Sequence, residues 1–172
     1  NEERNLRTCL DAVRALEWPD LQILLIDDRS SDATPRIAAD AAAADARVTV
    51  LGGTDLPDGW MGKSWALHQA QERATGEWLL FLDADVTVHP KALSQALGYA
   101  TAEKAAMFSG YGTLVLGTFW EKVIMPVIGG MIVGGNPLRE VNDPEHFRVV
   151  CNGQFILVSR AAYNAIGGHA AI

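Results

Sequence analysis

The sequence predicts an α/β fold, a mostly parallel sheet flanked by helices. Three observations predict it. Short apolar runs at residues 21–26, 48–51, 78–82 and 155–158 alternate with longer segments of helical periodicity. Two of these runs end in paired acids, Asp27-Asp28 and Asp83-Ala84-Asp85. Gly, Pro, Asn and Asp gather between the runs, where the chain must turn. Ligands of open α/β sheets bind outside the carboxyl ends of strands, so the acidic strand ends mark the expected site.

The bulk numbers set the class. A chain of 172 residues suffices for one domain with a real core, and 49% hydrophobic and 20% charged residues are ordinary for a globular protein. A net charge of -7 argues against a nucleic-acid partner. It does not argue against a diphosphate, provided a metal supplies the positive charge. Cys9 and Cys151 lie far apart without metal-ligand spacing and read as reduced thiols of an intracellular chain. The chain shows no signal peptide, low-complexity tract or repeat. It opens on Asn1-Glu2-Glu3 without Met and stops just after Gly167-Gly168-His169, so a fragment is expected.

Residues 4–16 carry Leu6, Leu10, Val13 and Leu16 at helical spacing, with Asn1 as expected cap and Glu2 and Glu3 in the first turn. Trp18-Pro19-Asp20 ends that helix. The strand at 21–26 leads into Asp27-Asp28-Arg29-Ser30-Ser31-Asp32-Ala33-Thr34, where Ser, Asp and Thr are ready to cap the helix that runs to Ala46. A carboxylate at Asp27 or Asp28 suits a donor on a nucleotide base or ribose; the competing reading is that both acids only cap turns.

After the strand at 48–51 and the loop at 52–59, Lys63 opens a helix to about Ala74. A cation there opposes the helix dipole, so an anionic partner is expected; a solvated Lys is the alternative. The Gly spacing around it is not that of a P-loop. Trp60 and Trp65 read as packing residues.

The run Trp78-Leu79-Leu80-Phe81-Leu82 reads as a strand buried on both faces of a parallel sheet. Side chains alternate along a strand, so Asp83 and Asp85 point the same way, with small Ala84 between them. That arrangement suits Mg²⁺ or Mn²⁺ held together with substrate phosphates. The alternative makes Asp83 a helix cap and Asp85 a solvated acid. Pro90 is expected as the first residue of a helix to about Ala100.

Residues 114–135 are the most apolar stretch, and Val123 to Gly135 carries no charge. Thirteen residues are too few to span a bilayer. An interfacial segment and a buried core helix both fit. Asn142-Asp143-Pro144 reads as a turn, and Ser159 caps a last helix that ends at Gly167-Gly168.

Taken together, Asn1-Glu2-Glu3, residues 24–34, Gly62-Lys63-Ser64-Trp65-Ala66-Leu67, Leu82-Asp83-Ala84-Asp85, Gly153-Gln154-Phe155 and Gly167-Gly168-His169 come in an order and spacing that resembles family 2 glycosyltransferases of the GT-A fold. Leu56-Pro57-Asp58-Gly59-Trp60, the apolar stretch and Val141-Asn142-Asp143-Pro144 look most like its membrane-associated branch, which includes hopanoid-associated and carotenoid enzymes.

The resemblance implies roles residue by residue. Asp27 and Asp28 contact the uracil or ribose of a UDP-sugar, with Lys63 near the nucleotide pocket. Asp83 holds ribose or the sugar, and Asp85 ligates Mg²⁺ or Mn²⁺ on the diphosphate. Gly153 and Gln154 face the acceptor, a lipid or isoprenoid. It also implies inversion at the sugar and work at the cytoplasmic face of a membrane. The expected halves are 1–112 for the nucleotide and 113–172, with the apolar segment, for the acceptor. The family's first strand would precede Asn1, and its catalytic base would follow Ile172, so the chain alone is expected to be a poor catalyst.

Three other readings compete. A nucleotidyltransferase should carry a Gly-rich phosphate loop near its first strand, and none is visible. A signalling receiver domain places its Lys after the phospho-acceptor strand, whereas Lys63 precedes Asp83. An inactive membrane-binding fragment would bind lipid without nucleotide.

Overall fold

The computed structural model describes residues 1–143, 145–146 and 149–171. Pro144 of the expected Asn142-Asp143-Pro144 turn, and Ile172, lie outside the described residues. The elements run α1 (Leu6–Arg14), β1 (Ile23–Asp27), α2 (Thr34–Ala44), β2 (Val48–Gly52), α3 (Gly62–Gln71), β3 (Trp78–Leu82), α4 (Ala92–Ala102), β4 (Met107–Ser109), α5 (Phe119–Gly135), α6 (Leu138–Val141), β5 (Phe155–Ser159) and α7 (Arg160–Ala165). A 3₁₀ turn follows at Gly168–Ala171.

The fold class is α/β as expected. Strand β1 pairs in parallel with β2, from Ile23 opposite Val48 to Asp27 opposite Gly52. The parallel surroundings expected for Trp78–Leu82 need correction. Strand β3 pairs antiparallel with β5, and β5 also pairs antiparallel with β4, giving the order β3-β5-β4. An apolar run shows that both faces are covered; it does not show the direction of the neighbour. Coverage on both faces is what the structure has. Trp78, Leu80 and Leu82 pack with Leu157 and α4, while Leu79 and Phe81 pack with Val158 and Tyr163. Leu157 is 1% exposed at the centre of that sheet. Burying such a side chain contributes about 1.5–3 kcal/mol. A second core joins Leu6 and Leu10 of α1 to Ile37, Ala38 and Ala41 of α2.

The helix ends carry several corrections. Asn1 does not cap α1; the cap position is Asn5, without a side-chain hydrogen bond. Asn1 Oδ1 instead accepts from the Ser31 N–H at 2.7 Å, and Glu2 N–H donates to Thr34 Oγ1 at 2.7 Å. Glu3 lies outside the first turn of α1, and its carboxylate accepts from Ala33 N–H at 3.1 Å. The Glu3 carboxylate thus serves the start of α2, whose free N–H groups attract it, whereas the Glu2 carboxylate accepts from the Asn5 side-chain amide at 3.3 Å. Asp32 completes that start by accepting from Thr34 N–H at 2.9 Å. Pro90 precedes α4 rather than opening it, and its carbonyl accepts from Glu17 N–H at 2.8 Å. Ser159 caps α7 as expected, accepting from Ala162 N–H at 3.3 Å.

Helix α5 is the outlier. It starts on a capping box in which Thr118 Oγ1 accepts from Glu121 N–H and Glu121 accepts from Thr118 N–H. None of its described residues is buried. Trp120 is 67% exposed and Met131 71%. Within this chain α5 therefore contributes nothing to a core. Pro126 sits inside the helix and lacks the N–H that would bond the Lys122 carbonyl. No helix among the described residues is long and apolar enough to cross a membrane.

Candidate functional site

The site forms where β1 and β3 end and α3 begins. Asp27 and Asp28 close β1 with different tasks. Asp27 is half-buried; its carboxylate accepts from Ser30 N–H at 3.3 Å and its carbonyl from Gly53 N–H at 2.9 Å. Asp28 is exposed and pairs with Arg29 at 3.4 Å, and Arg29 pairs with Asp55 at 3.0 Å. A Cβ on Gly53 would lie 2.9 Å from Asp28 Oδ1 and 3.1 Å from its Cα, so a larger residue would crowd this carboxylate at the β2 exit.

Helix α3 carries the next groups. Its first residue, Gly62, lies beside Asp28, since a Cβ there would sit 3.7 Å from Oδ2. Lys63 Nζ pairs with Asp83 Oδ1 at 2.5 Å. The anionic partner expected for a lysine at a helix start is therefore Asp83, at the end of β3. Asp83 does not cap a helix, because the next one begins only at Ala92. Gly153 also lies near the ammonium, since a Cβ there would be 3.9 Å from Nζ. Asp83 N–H donates to the Gln154 carbonyl at 3.4 Å. Asp28, Lys63, Asp83 and Gly153 thus come together from four stretches far apart in sequence.

Asp85 is exposed beyond Ala84, and among the described residues its carboxylate has no ion pair. Both acids make themselves felt at Cys9. The thiol is buried beneath them, with Sγ 3.7 Å from the Asp83 carbonyl. Burial first, then the charges of Asp85 and Asp83, push it up to about 11. A cation placed at Asp83 and Asp85 would meet that negative field. No group of three or more His, Cys, Asp or Glu side chains converges among the described residues. Two carboxylates on an open strand end fit Mg²⁺ or Mn²⁺, which keep waters and substrate phosphates as further ligands.

Sequence reasoning missed the edge formed by His169. Gly167 and Gly168 have φ of +80° and +55° and fold the chain back. His169 Nδ1 then meets the Tyr163 hydroxyl at 2.7 Å, and its ring stands 5.0 Å from that of Phe81. Burial, then His68 and Lys63, hold its imidazole below the usual histidine range. The paired glycines were the available signal, because positive φ at both reverses the chain. Trp60, Trp65 and His68 stack on one another at 4.9–5.6 Å, and Trp65 Nε1 donates to Thr54, which fits their expected packing role.

An open cavity of about 470 Å³ adjoins this site. Val86, Val88, Ala96, Phe108 and Phe155 line it together with the polar side chains of Thr87, His89 and Gln95, and Gln154 also borders it.

Paired acids at the carboxyl ends of two strands of an α/β scaffold, with Lys63 against one of them, stand where ligands of such sheets bind. The protein-family model for glycosyl transferase family 2 matches residues 1–167, and the chain belongs to that family. It is 27% identical over 172 residues to 4,4'-diaponeurosporenoate glycosyltransferase of Staphylococcus aureus, covering 98% of this chain and 44% of that protein. The mannosyltransferase PcManGT of Pyrobaculum calidifontis, solved with GDP-Man and Mn²⁺, has a TM-score of 0.71 at 20% identity over 98% of this chain and 44% of that one. Glucosyl-3-phosphoglycerate synthase of Mycobacterium tuberculosis, solved with UDP, has a TM-score of 0.59 at 18% identity over 94% and 54%. These likenesses establish the GT-A fold. The chain spans less than half the length of the carotenoid relative.

Proposed function

We propose that this domain binds a nucleotide-sugar, a UDP-sugar in our reading, and serves transfer of the sugar to a lipid or isoprenoid acceptor at the cytoplasmic face of a membrane. The observation that carries the reading is the convergence of Asp28, Lys63 and Asp83 at one strand-end crevice. Asp27 and Asp28 orient base and ribose through carboxylate hydrogen bonds. Asp83 takes ribose or sugar hydroxyls, and Lys63 offers its ammonium to the diphosphate. Asp83 and Asp85 would hold Mg²⁺ or Mn²⁺, whose charge would stabilise the leaving diphosphate. Small Ala84 leaves room between the two acids. Gly153 and Gln154 face the acceptor. Residues 1–112 serve the donor, and residues 113–172 the acceptor.

Support for a lipid acceptor comes from α5 and from the relative named for diaponeurosporenoate. An apolar helix with no buried residue suits an interface with lipid. Inversion at the anomeric carbon follows the family resemblance. The test incubates the protein with a radioactive UDP-sugar and bacterial membranes and follows both binding of the nucleotide-sugar and transfer of label to the lipid fraction. Metal-dependent binding is expected, with label appearing slowly in the lipid phase. Label only in water-soluble products would remove the lipid acceptor, and no turnover or binding of any nucleotide-sugar would remove the transferase reading.

A further inference from the structure

We infer that the 470 Å³ cavity between α4, β4 and the stretch after Asp85 receives the apolar chain of the acceptor. The inference rests on the lipid-acceptor reading above and assigns that acceptor a seat. Its volume falls in the range of about 300–1,000 Å³ usual for small-molecule sites. Val86, Val88, Ala96, Phe108 and Phe155 give its wall a mainly apolar surface, and Thr87, His89 and Gln95 add polar groups to it.

Two continuities select the occupant. The first runs to the donor site. Val86 follows Asp85 directly, so the cavity begins where the metal-binding acids end. Gly153 faces the Lys63 ammonium, while the next residue, Gln154, stands at the cavity edge, with its Oε1 3.9 Å from where a Cβ on Gly112 would be. A chain lying in the cavity would thus leave its polar end at Gln154, beside Lys63 and Asp83. The second continuity runs to α5. Tyr111 and Gly112 form the outer wall, and the exposed strand of chain that follows, with Leu114 and Val115, leads directly to that unburied helix. The stretch that joins the cavity to α5 carries the exposed apolar side chains of Leu114 and Val115.

The test uses photo-crosslinking with diazirine analogues of geraniol and farnesol, below their aggregation concentrations, followed by peptide mapping. The proposal expects adducts on Ala92, Tyr99 or Tyr111. It also expects tighter binding of the longer alcohol, since each further buried methylene tightens binding roughly fourfold. Gly112→Phe fills the cavity from one wall and Ala92→Leu from the other. Either variant, checked for folding by circular dichroism, should weaken capture roughly tenfold and leave Mn²⁺-dependent UDP binding intact. Adducts confined to α5, or unchanged in both variants, would overturn the seat. Capture in the cavity by a chain that binds no UDP would overturn the acceptor role and locate the failure in the donor reading.

Discussion

Lys63 Nζ lies 2.5 Å from Asp83 Oδ1, joining the first turn of α3 to the end of β3. The lysine side chain is 62% exposed, so solvent screens the pair and its worth to the fold is small. Its value is positional: it holds a cation against an acid where a diphosphate would arrive. Lys63→Ala should therefore leave thermal stability within about 0.5 kcal/mol of the parent. It should weaken Mn²⁺-dependent UDP binding by about tenfold, or 1.4 kcal/mol. Calorimetry with UDP, beside thermal melts, checks both. A large loss of stability with unchanged UDP affinity would make the pair a structural tie.

Helix α5 predicts a separation of membrane binding from folding. Val127 and Met131 are exposed and belong to no core cluster. The double change Val127→Asp and Met131→Asp should reduce co-sedimentation with anionic liposomes several-fold and leave the cores unaffected. Retained sedimentation would place the lipid contact elsewhere.

His169 supplies a pH dependence. Its folded-state ionisation lies below the ordinary value of 6.5, chiefly through burial and then through the charges of His68 and Lys63. The unfolded chain then binds more protons in the window just below 6.5, so this contribution is complete above 6.5 and is lost as pH falls toward the folded value. His169→Gln should flatten that part of the stability–pH curve, as followed by melts across the window. An unchanged slope would show that another group sets it.

The two thiols should differ in reactivity. Cys9 is buried and raised to about 11, so almost no thiolate exists at neutral pH. Cys151 is exposed, although partial burial of its sulfur also raises it. With a disulfide reagent in the native state, one thiol should react readily, and peptide mapping should identify it as Cys151. Rapid labelling of Cys9 would mean that the acids above it do not enclose the thiol as described.

Local chemistry made much of this legible in the sequence. The run 78–82 announced a strand covered on both faces, Ser159 announced a cap, and Lys63 announced an anionic partner. The identity of that partner was not legible, because nothing in the stretch between Lys63 and Asp83, 20 positions apart, marks their meeting. Nor was the antiparallel insertion of β5 between β3 and β4, since pairing direction depends on how the chain returns after α5. Glu2 and Glu3 misled for a physical reason. Tertiary folding brings the start of α2 within reach, where the Glu3 carboxylate binds it and Glu2 offers only its backbone N–H. The apolar stretch 114–135 left core and interface open, and only the lack of any buried residue in α5 decided against a core helix within this chain.

The most direct test of the central claim is calorimetric titration of UDP into the folded protein, with Mn²⁺ and then with chelator, on the parent and on Asp85→Asn. Asp85 is exposed, so the substitution should not disturb the fold. The account predicts binding that requires Mn²⁺ in the parent and falls at least about tenfold, or 1.4 kcal/mol, in Asp85→Asn. Equal UDP affinity in parent and variant, or affinity indifferent to chelator, would contradict it.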